Sequence, residues 1–106
     1  MIIKIKPLSV NKAWQGRRFK TQYYKNYELE LLSKLPKLKL PKEPYFLKIK
    51  VGFSSKAADL DNILKPFLDV LQKKYNFNDK EIYKIEIEKE IIKKGNEFIY
   101  FEIKNY

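Results

Sequence analysis

The sequence predicts an α/β (α+β) fold in which two helices accompany a mixed β-sheet, with the element order β-α-β-α-β-β. Three observations support this fold class. Short segments of alternating apolar and charged residues, typical of half-buried strands, occur near both ends and in the middle of the chain. Two longer segments carry apolar residues at steps of three and four, the spacing of one helix face. The length of 106 residues suits one domain, so we expect residues 1–106 to fold as a single unit.

The first half of the chain predicts a strand, a helix and a second strand. Met1 to Lys6 alternates apolar and basic residues, which favours a strand that ends at Pro7. Thr21 to Leu35 has tyrosines and leucines at helical spacing and begins with a residue type that caps helices. The proline-rich segment from Lys34 to Pro44 excludes a helix and predicts a surface connection. Tyr45 to Phe53 alternates again and predicts the second strand.

The second half predicts a helix followed by a β-hairpin. From about Leu60 to Tyr75 the apolar residues form a helical stripe. Pro66 removes one backbone hydrogen bond, so we expect an irregular start to this helix. Lys80 to Lys93 and Glu97 to Lys104 carry the apolar pattern of strands, and a short turn containing Gly95 separates them. These two segments are therefore expected to pair with each other.

The charge of the chain indicates a polyanionic partner. Lysine and arginine number 23 against 13 acids, a formal net charge of +10, and such a field attracts nucleic acid. A membrane surface is less favoured, because the lysines are spread through every segment and do not form the polar face of one amphipathic helix. No apolar run approaches the roughly 20 residues that cross a bilayer, and no signal-peptide pattern is present. We therefore expect a cytoplasmic protein without a membrane partner.

The residue types that the chain lacks narrow its chemistry. Without cysteine there is no disulfide, thiolate nucleophile or zinc-thiolate site. Without histidine there is no Ser-His-Asp triad and no imidazole base or ligand. Carboxylate, lysine, tyrosine and hydroxyl chemistry remains. Carboxylate oxygens suit hard cations, so the expected cofactor is Mg²⁺, with Mn²⁺ as a substitute.

A basic loop between the first strand and the first helix has the composition of a nucleic-acid contact. Leu8 to Thr21 interleaves Trp14 and Phe19 with basic side chains, which suits phosphates and exposed bases. A solvated loop whose Trp14 covers the core explains the same composition equally well. The candidate phosphate contacts are Lys12, Arg17, Arg18, Lys20 and, from a later loop, Lys56.

The segment from Ala58 to Ile82 gathers the acids that could perform chemistry in this basic chain. Asp59 and Asp61 stand two residues apart before an apolar run, Lys65 follows one helical turn later, and Asp79 lies beyond the predicted helix. Acids on a surface that attracts a polyanion repel that ligand unless a cation lies between them. The combination therefore favours a metal site.

Each of these residues also has an ordinary structural explanation. Asp59 could cap the helix, and Asp61 could be a first-turn acid favoured by the helix dipole. Lys65 could form a surface ion pair with Asp61 or Asp69, and Asp79 could stabilise a turn. Asp69 itself is interpreted as structural or as a support for the site.

A metal site built from these acids requires the chain to fold back on itself. Asp59 and Asp61 converge if one lies in the loop and the other in the first helical turn. Asp79 reaches them if the strand after it pairs beside the strand that ends near Phe53. We expect this arrangement.

The same residues resemble a known protein family, the RusA family of Holliday junction resolvases. The specific part of the resemblance is Asp59-Leu60-Asp61-Asn62 followed by Lys65, then Asp69-Val70-Leu71, then an aspartate ahead of a strand that ends in Glu88-Lys89. The opening Pro7-Leu8-Ser9-Val10-Asn11 resembles the N-terminal loop of the family. The resemblance therefore covers most of the chain.

The resemblance implies a small, homodimeric, Mg²⁺-dependent endonuclease that resolves four-way DNA junctions by paired symmetric nicks in recombination and repair, without a nucleotide cofactor. It implies Asp59, Asp61 and Asp79 as catalytic metal ligands and Lys65 as their basic catalytic partner. One departure concerns Asn78, which stands where the family usually has the first of two adjacent aspartates. Two other classes remain open, a non-catalytic nucleic-acid-binding domain and a structural protein of a ribonucleoprotein particle. Neither needs the aspartates to converge.

Overall fold

Two helices and a four-stranded mixed sheet enclose the core, and the predicted fold class is confirmed. The structure, a computed structural model, describes residues 1–9, 14–15 and 19–106, and the side chains at 14, 15 and 19 are not part of that description. The element order agrees with the prediction, with an additional pair of short strands before the first helix. The strands are β1 Ile2–Lys4, β2 Trp14–Gln15, β3 Phe19–Lys20, β4 Tyr45–Phe53, β5 Ile82–Ile91 and β6 Phe98–Asn105; the helices are α1 Gln22–Lys34 and α2 Leu60–Tyr75, with a 3₁₀ turn at Asp79–Glu81.

The predicted hairpin of the last two strands is wrong. The sheet order is β1-β6-β4-β5, so β4 lies between β5 and β6. β4 pairs antiparallel with β6 and parallel with β5. At the end of β5 the N–H of Ile92 donates to the carbonyl of Phe53 at 2.8 Å, and the chain then crosses the end of β4 to reach β6.

Burial explains why β6 and not β5 occupies the interior of the sheet. Ile99 and Phe101 of β6 are completely covered, whereas no side chain of β5 is buried. The strand with the larger apolar side chains gains more from a central place, and the strand rich in glutamate and lysine tolerates the edge. Both segments show strand-like patterning, so the pattern alone does not reveal which strand each one pairs with.

The core lies between the helices and one face of the sheet, and it places both helices as predicted. Thr21 caps α1, since its hydroxyl accepts from the N–H of Tyr24 at 3.2 Å. α2 has the predicted bounds and buries Phe67, whose ring meets the edge of Phe101 at a centroid distance of 5.6 Å. None of the helices in the described ranges is both long and apolar enough to cross a membrane.

The unit β4-α2-β5 decides where the candidate site residues lie. β4 and β5 run parallel, with Tyr45 beside Ile82 at one end and Phe53 beside Ile91 at the other. α2 follows β4 in the chain and leads from the Phe53 end of the sheet back to the Tyr45 end, where β5 begins. Residues just after β4 therefore lie at one end of the unit, and residues just before β5 lie at the opposite end.

Candidate active site

Asp59 and Asp61 lie together at the carboxyl end of β4, where α2 begins. Asp59 occupies the N-cap position with an extended backbone, but its side chain makes no capping hydrogen bond. Asp61 lies in the first turn of α2. Both residues are exposed, and within the described part of the chain neither carboxylate has a hydrogen-bond or ion-pair partner. Their oxygen atoms are therefore available to a cation. A carboxylate that capped the helix would instead be engaged by a backbone N–H.

Lys89 holds the loop that leads into Asp59. Its Nζ donates to the carbonyl of Ala58 at 3.1 Å and to the carbonyl of Lys56 at 3.3 Å. The contact joins the end of β5 to the start of α2 and so restrains the backbone on which Asp59 stands. Sequence reasoning noticed Lys89 only as part of the family-like pattern, because its partners are backbone atoms about thirty positions earlier.

Lys65 makes the ion pair that an ordinary surface lysine would make. Its Nζ lies 3.0 Å from Oδ1 of Asp69, one turn further along α2, and its side chain is 59% exposed. The hydroxyl of Tyr24 donates to the other oxygen of Asp69 at 3.4 Å, so this carboxylate links the two helices. Burial, with the negative charge of Asp69 second, raises the pKa of Tyr24 above its usual range. Asp69 therefore has the structural contacts that the sequence suggested for it.

Asp79 lies at the opposite end of the β4-α2-β5 unit. The part of α2 that runs from Asp61 to Gln72, the residue that Asp79 contacts, is about 16 Å long. The N–H of Asp79 donates to the side chain of Gln72 at 2.8 Å, and its carboxylate is exposed without a partner among the described residues. Asn78 caps the 3₁₀ turn, since its Oδ1 accepts from the N–H of Lys80 at 3.0 Å. The residue that departs from the family pattern thus has a structural role.

A single chain does not bring the three candidate ligands together. The strand after Asp79 does pair beside β4, as expected, but it runs parallel to β4, so its beginning lies at the Tyr45 end. In the described ranges, 1–9, 14–15 and 19–106, no group of three acidic side chains is placed to hold a metal ion. The donor type fits a hard cation, because Asp59 and Asp61 offer only carboxylate oxygens. One chain therefore does not assemble the metal site that the sequence predicted.

The candidate phosphate contacts divide into three groups. Lys12, Arg17 and Arg18 lie outside the described residues. Lys20 is already engaged, with its Nζ 3.0 Å from Glu28 and 4.8 Å from the centre of the Tyr24 ring. Lys56 is exposed in the loop that leads into Asp59.

A cavity of about 430 Å³ opens next to the same loop. Tyr23, Asn26, Tyr27, Phe53 and Ala58 are among the residues that line it. The hydroxyl of Tyr27 is buried and has no hydrogen-bond partner among the described residues. The surface beside Asp59 is therefore concave and carries both aromatic and amide side chains. Side chains of this kind suit contact with exposed nucleobases.

Glu28 is a buried charge that sequence reasoning did not single out. Its carboxylate forms ion pairs with Lys20 and with Lys73 of α2, while its own side chain is only 11% exposed. Burial acts to raise the pKa of Glu28, but hydrogen bonds from Lys73 and Lys20 outweigh it and leave the pKa below its ordinary value. The contact ties α1 to α2 and to the strand β3.

We expect the Glu28→Gln substitution to lower the free energy of unfolding by about 1 kcal/mol at neutral pH, because it removes two charge-assisted contacts. The pKa of Glu28 is lower in the folded state than the ordinary value of 4.5. Its contribution is therefore complete above that ordinary value and is lost as the pH falls through the lowered pKa. Urea unfolding at about pH 7 and about pH 3 should show a smaller loss of stability for the variant than for the wild type.

The matched control is Glu30→Gln, since Glu30 is an exposed acid of the same helix that pairs with Lys34. It should leave the pH dependence close to that of the wild type. Equal losses in the Glu28→Gln variant and the wild type would show that Glu28 does not carry this dependence.

The comparisons with known proteins agree with the pattern of residues. A family model described as endodeoxyribonuclease RusA matches residues 6–103. The matched range contains the whole β4-α2-β5 unit and every candidate site residue. A search of curated proteins finds no match to the chain.

Proposed function

Because the chain belongs to the RusA family of endodeoxyribonucleases, which are Holliday junction resolvases, we propose that it works as a Mg²⁺-dependent homodimer in DNA recombination and repair. The family makes it a structure-specific endonuclease that acts on branched DNA. In the proposed reaction each protomer nicks one of two opposed strands of a four-way junction. We propose further that residues 1–106 form one endonuclease domain and that it acts in the cytoplasm.

The observation that carries this proposal is the pair of exposed carboxylates at the carboxyl end of β4. Asp59 and Asp61 have no partner among the described residues, although the chain carries a net charge of +10. A domain that only binds nucleic acid gains nothing from two uncompensated acids beside basic loops, since they repel phosphate. A metal-dependent nuclease needs them.

The ligands of the ion would be Asp59, Asp61 and Asp79, and the oxygen-only donors suit Mg²⁺ or Mn²⁺. When bound, such an ion lowers the pKa of water and offsets the negative charge that develops around the scissile phosphate. Asp59 and Asp61 approach the phosphate from the start of α2. The Lys89 contacts to the preceding loop limit the movement of Asp59 during this approach.

Asp79 must come from a second copy of the chain. The part of α2 between Asp61 and Gln72, the residue that Asp79 contacts, spans about 16 Å, which is far beyond the reach of an aspartate side chain. In a two-fold symmetric dimer, Asp79 of the partner subunit would complete the set begun by Asp59 and Asp61. The dimer then has two identical sites, which suits a junction whose opposed strands are also related by two-fold symmetry.

The remaining residues would bind and orient DNA. Lys65, one turn after Asp61, would contact the scissile phosphate with the exposed ammonium that Asp69 now holds. Lys56, together with Lys12, Arg17 and Arg18, would contact flanking phosphates, so binding should weaken steeply with salt. Lys20 would add less, because Glu28 already compensates its charge.

The test is cleavage of a labelled synthetic four-way junction by the purified protein. With Mg²⁺ we expect paired nicks at symmetric positions in two opposed strands, and a chelator should abolish them. A linear duplex of the same sequence is the matched control and should remain uncut.

Tight binding without cleavage in either Mg²⁺ or Mn²⁺ would support the non-catalytic DNA-binding domain. Preferential binding of folded RNA, again without cleavage, would support a structural protein of a ribonucleoprotein particle.

A further inference from the structure

The edge of the sheet at β5 is a long strand with one open side. β5 has ten residues and pairs only with β4 among the described strands. Alternate N–H and C=O groups on its outer side therefore have no strand partner in that part of the chain. Proteins usually cover, shorten or interrupt such an edge, since it can pair with a strand of another molecule.

The side chains of β5 leave apolar surface uncovered on the helix-facing side. Ile85 and Ile91 are 36% and 43% exposed, and Ile87 is half-buried. The opposite side carries charges of both signs. Lys84 lies 3.5 Å from Glu86, and Lys50 of β4 lies 3.9 Å from Glu88.

We propose that β5 pairs antiparallel with β5 of a second copy, about a two-fold axis through Glu86, to form one continuous eight-stranded sheet. A two-fold axis perpendicular to the sheet keeps both helix-facing sides on the same side, so only residues of the same face stand opposite each other. In this register Lys84 stands opposite Glu88 of the partner subunit, and Ile85 stands opposite Ile87 of the partner subunit. Each pair occurs twice.

Neighbouring registers are less complementary. Centring on Ile87 places Glu86 opposite Glu88 twice, and directly opposed like charges destabilise a ladder. Centring on Ile85 brings Tyr83 into the ladder. The pairing with β4 shifts between Tyr45 and Phe46, which leaves Tyr83 as an additional, bulged residue.

The chosen register has one like-charge contact, between the two copies of Glu86. Each Glu86 has nearby lysines that offset it. Lys84 of its own strand lies 3.5 Å away, and Lys48 is its neighbour in the β4 ladder. The central contact is therefore compensated.

The β5 pairing explains how a dimer could bring the proposed metal ligands of two chains together. This inference rests on the homodimer proposed above. Antiparallel strands place the beginning of each β5 beside the end of the other. The beginning of each β5, which directly follows the turn that holds Asp79, then lies opposite the end of the partner's β5, close to the point where Lys89 holds the loop before Asp59. The interface brings each Asp79 to the end of the sheet at which the other protomer presents Asp59 and Asp61.

The first test uses the absence of cysteine from the chain. The Glu86→Cys variant should form an intermolecular disulfide under mild oxidation, because a residue on the axis faces its own copy at a suitable distance. Lys84→Cys and Glu88→Cys are matched controls from the same strand face and should not crosslink. Crosslinking of either control without crosslinking at position 86 overturns the register.

The second test reverses charges and measures self-association by sedimentation. Lys84→Glu should weaken the dimer by about tenfold or more, since it places like charges opposite each other twice. Adding Glu88→Lys in the same chain should restore the dimer. Lys104→Glu, an exposed lysine on the same face of β6, is the matched control and should leave association unchanged.

Cleavage measured on the same samples separates this inference from the proposed function. A dimer that cuts junctions and is unaffected by Lys84→Glu overturns the β5 interface and leaves the nuclease intact. A protein that crosslinks at position 86 but never cuts a junction overturns the proposed function and supports the interface.

Discussion

The Asp61→Asn variant is expected to cut a four-way junction at least about a thousand-fold more slowly than the wild type. The substitution keeps the size of the side chain but removes one negative charge from an exposed carboxylate that has no partner among the described residues. A hard cation binds a neutral amide oxygen more weakly than a carboxylate, so the charge compensation at the scissile phosphate is lost. Single-turnover cleavage at saturating protein and Mg²⁺ measures the effect directly.

DNA binding should survive this substitution. The loss of an acid from a basic surface reduces repulsion of phosphate, so the affinity for the junction should be equal to or greater than that of the wild type. Asp69→Asn is the matched control on the same helix. The amide oxygen of an asparagine there can still accept from Lys65, and its amide nitrogen can donate to the hydroxyl of Tyr24, so cleavage should stay within about tenfold of the wild type. Wild-type cleavage by the Asp61→Asn variant would remove Asp61 from the site.

Mixed dimers of Asp61→Asn and Asp79→Asn subunits are expected to recover cleavage that neither variant has alone. If each site takes Asp61 from one protomer and Asp79 from the other, a mixed dimer has one doubly damaged site and one intact site. The intact site should nick one strand at a rate close to that of a wild-type site. The products should be single nicks and not paired cuts, which denaturing and native gels distinguish.

The control mixture combines Asp59→Asn with Asp61→Asn. Both residues come from the same protomer, so every site in that mixed dimer contains one damaged ligand and cleavage should stay low. Recovery in both mixtures, or in neither, would contradict a site shared between two chains. The experiment needs no assumption about which surface forms the dimer.

Local patterns in the sequence were sufficient for the helices and the middle strand. α2 and β4 have the predicted bounds, and Thr21 caps α1 as expected, because helical periodicity, alternation and capping depend on residues only a few positions apart. The hairpin prediction failed because alternation identifies a strand but not its neighbour. Ile99 and Phe101 take β6 to the interior of the sheet, and that competition for burial involves the whole core.

The candidate site shows the same division. Residue types, spacing and the resemblance singled out Asp59, Asp61, Lys65 and Asp79, and these assignments stay predictions. The expected convergence within one chain is not observed, because it depended on the direction in which β5 runs beside β4. The contacts of Lys89 with backbone carbonyls and the burial of Glu28 between two lysines had no signal in the sequence.

The sequence by itself determined the two helices and the four strands of the main sheet, the chemistry available to the chain and its family resemblance, since each of these depends on residue identity and short-range spacing. Only the tertiary structure decided that β4 separates β5 from β6 and that Asp61 and Asp79 lie at opposite ends of the β4-α2-β5 unit. The physical reason is that strand order and direction follow from the burial of the whole apolar surface at once. The geometry of the proposed metal site, and its proposed need for a second subunit, follow from that global solution.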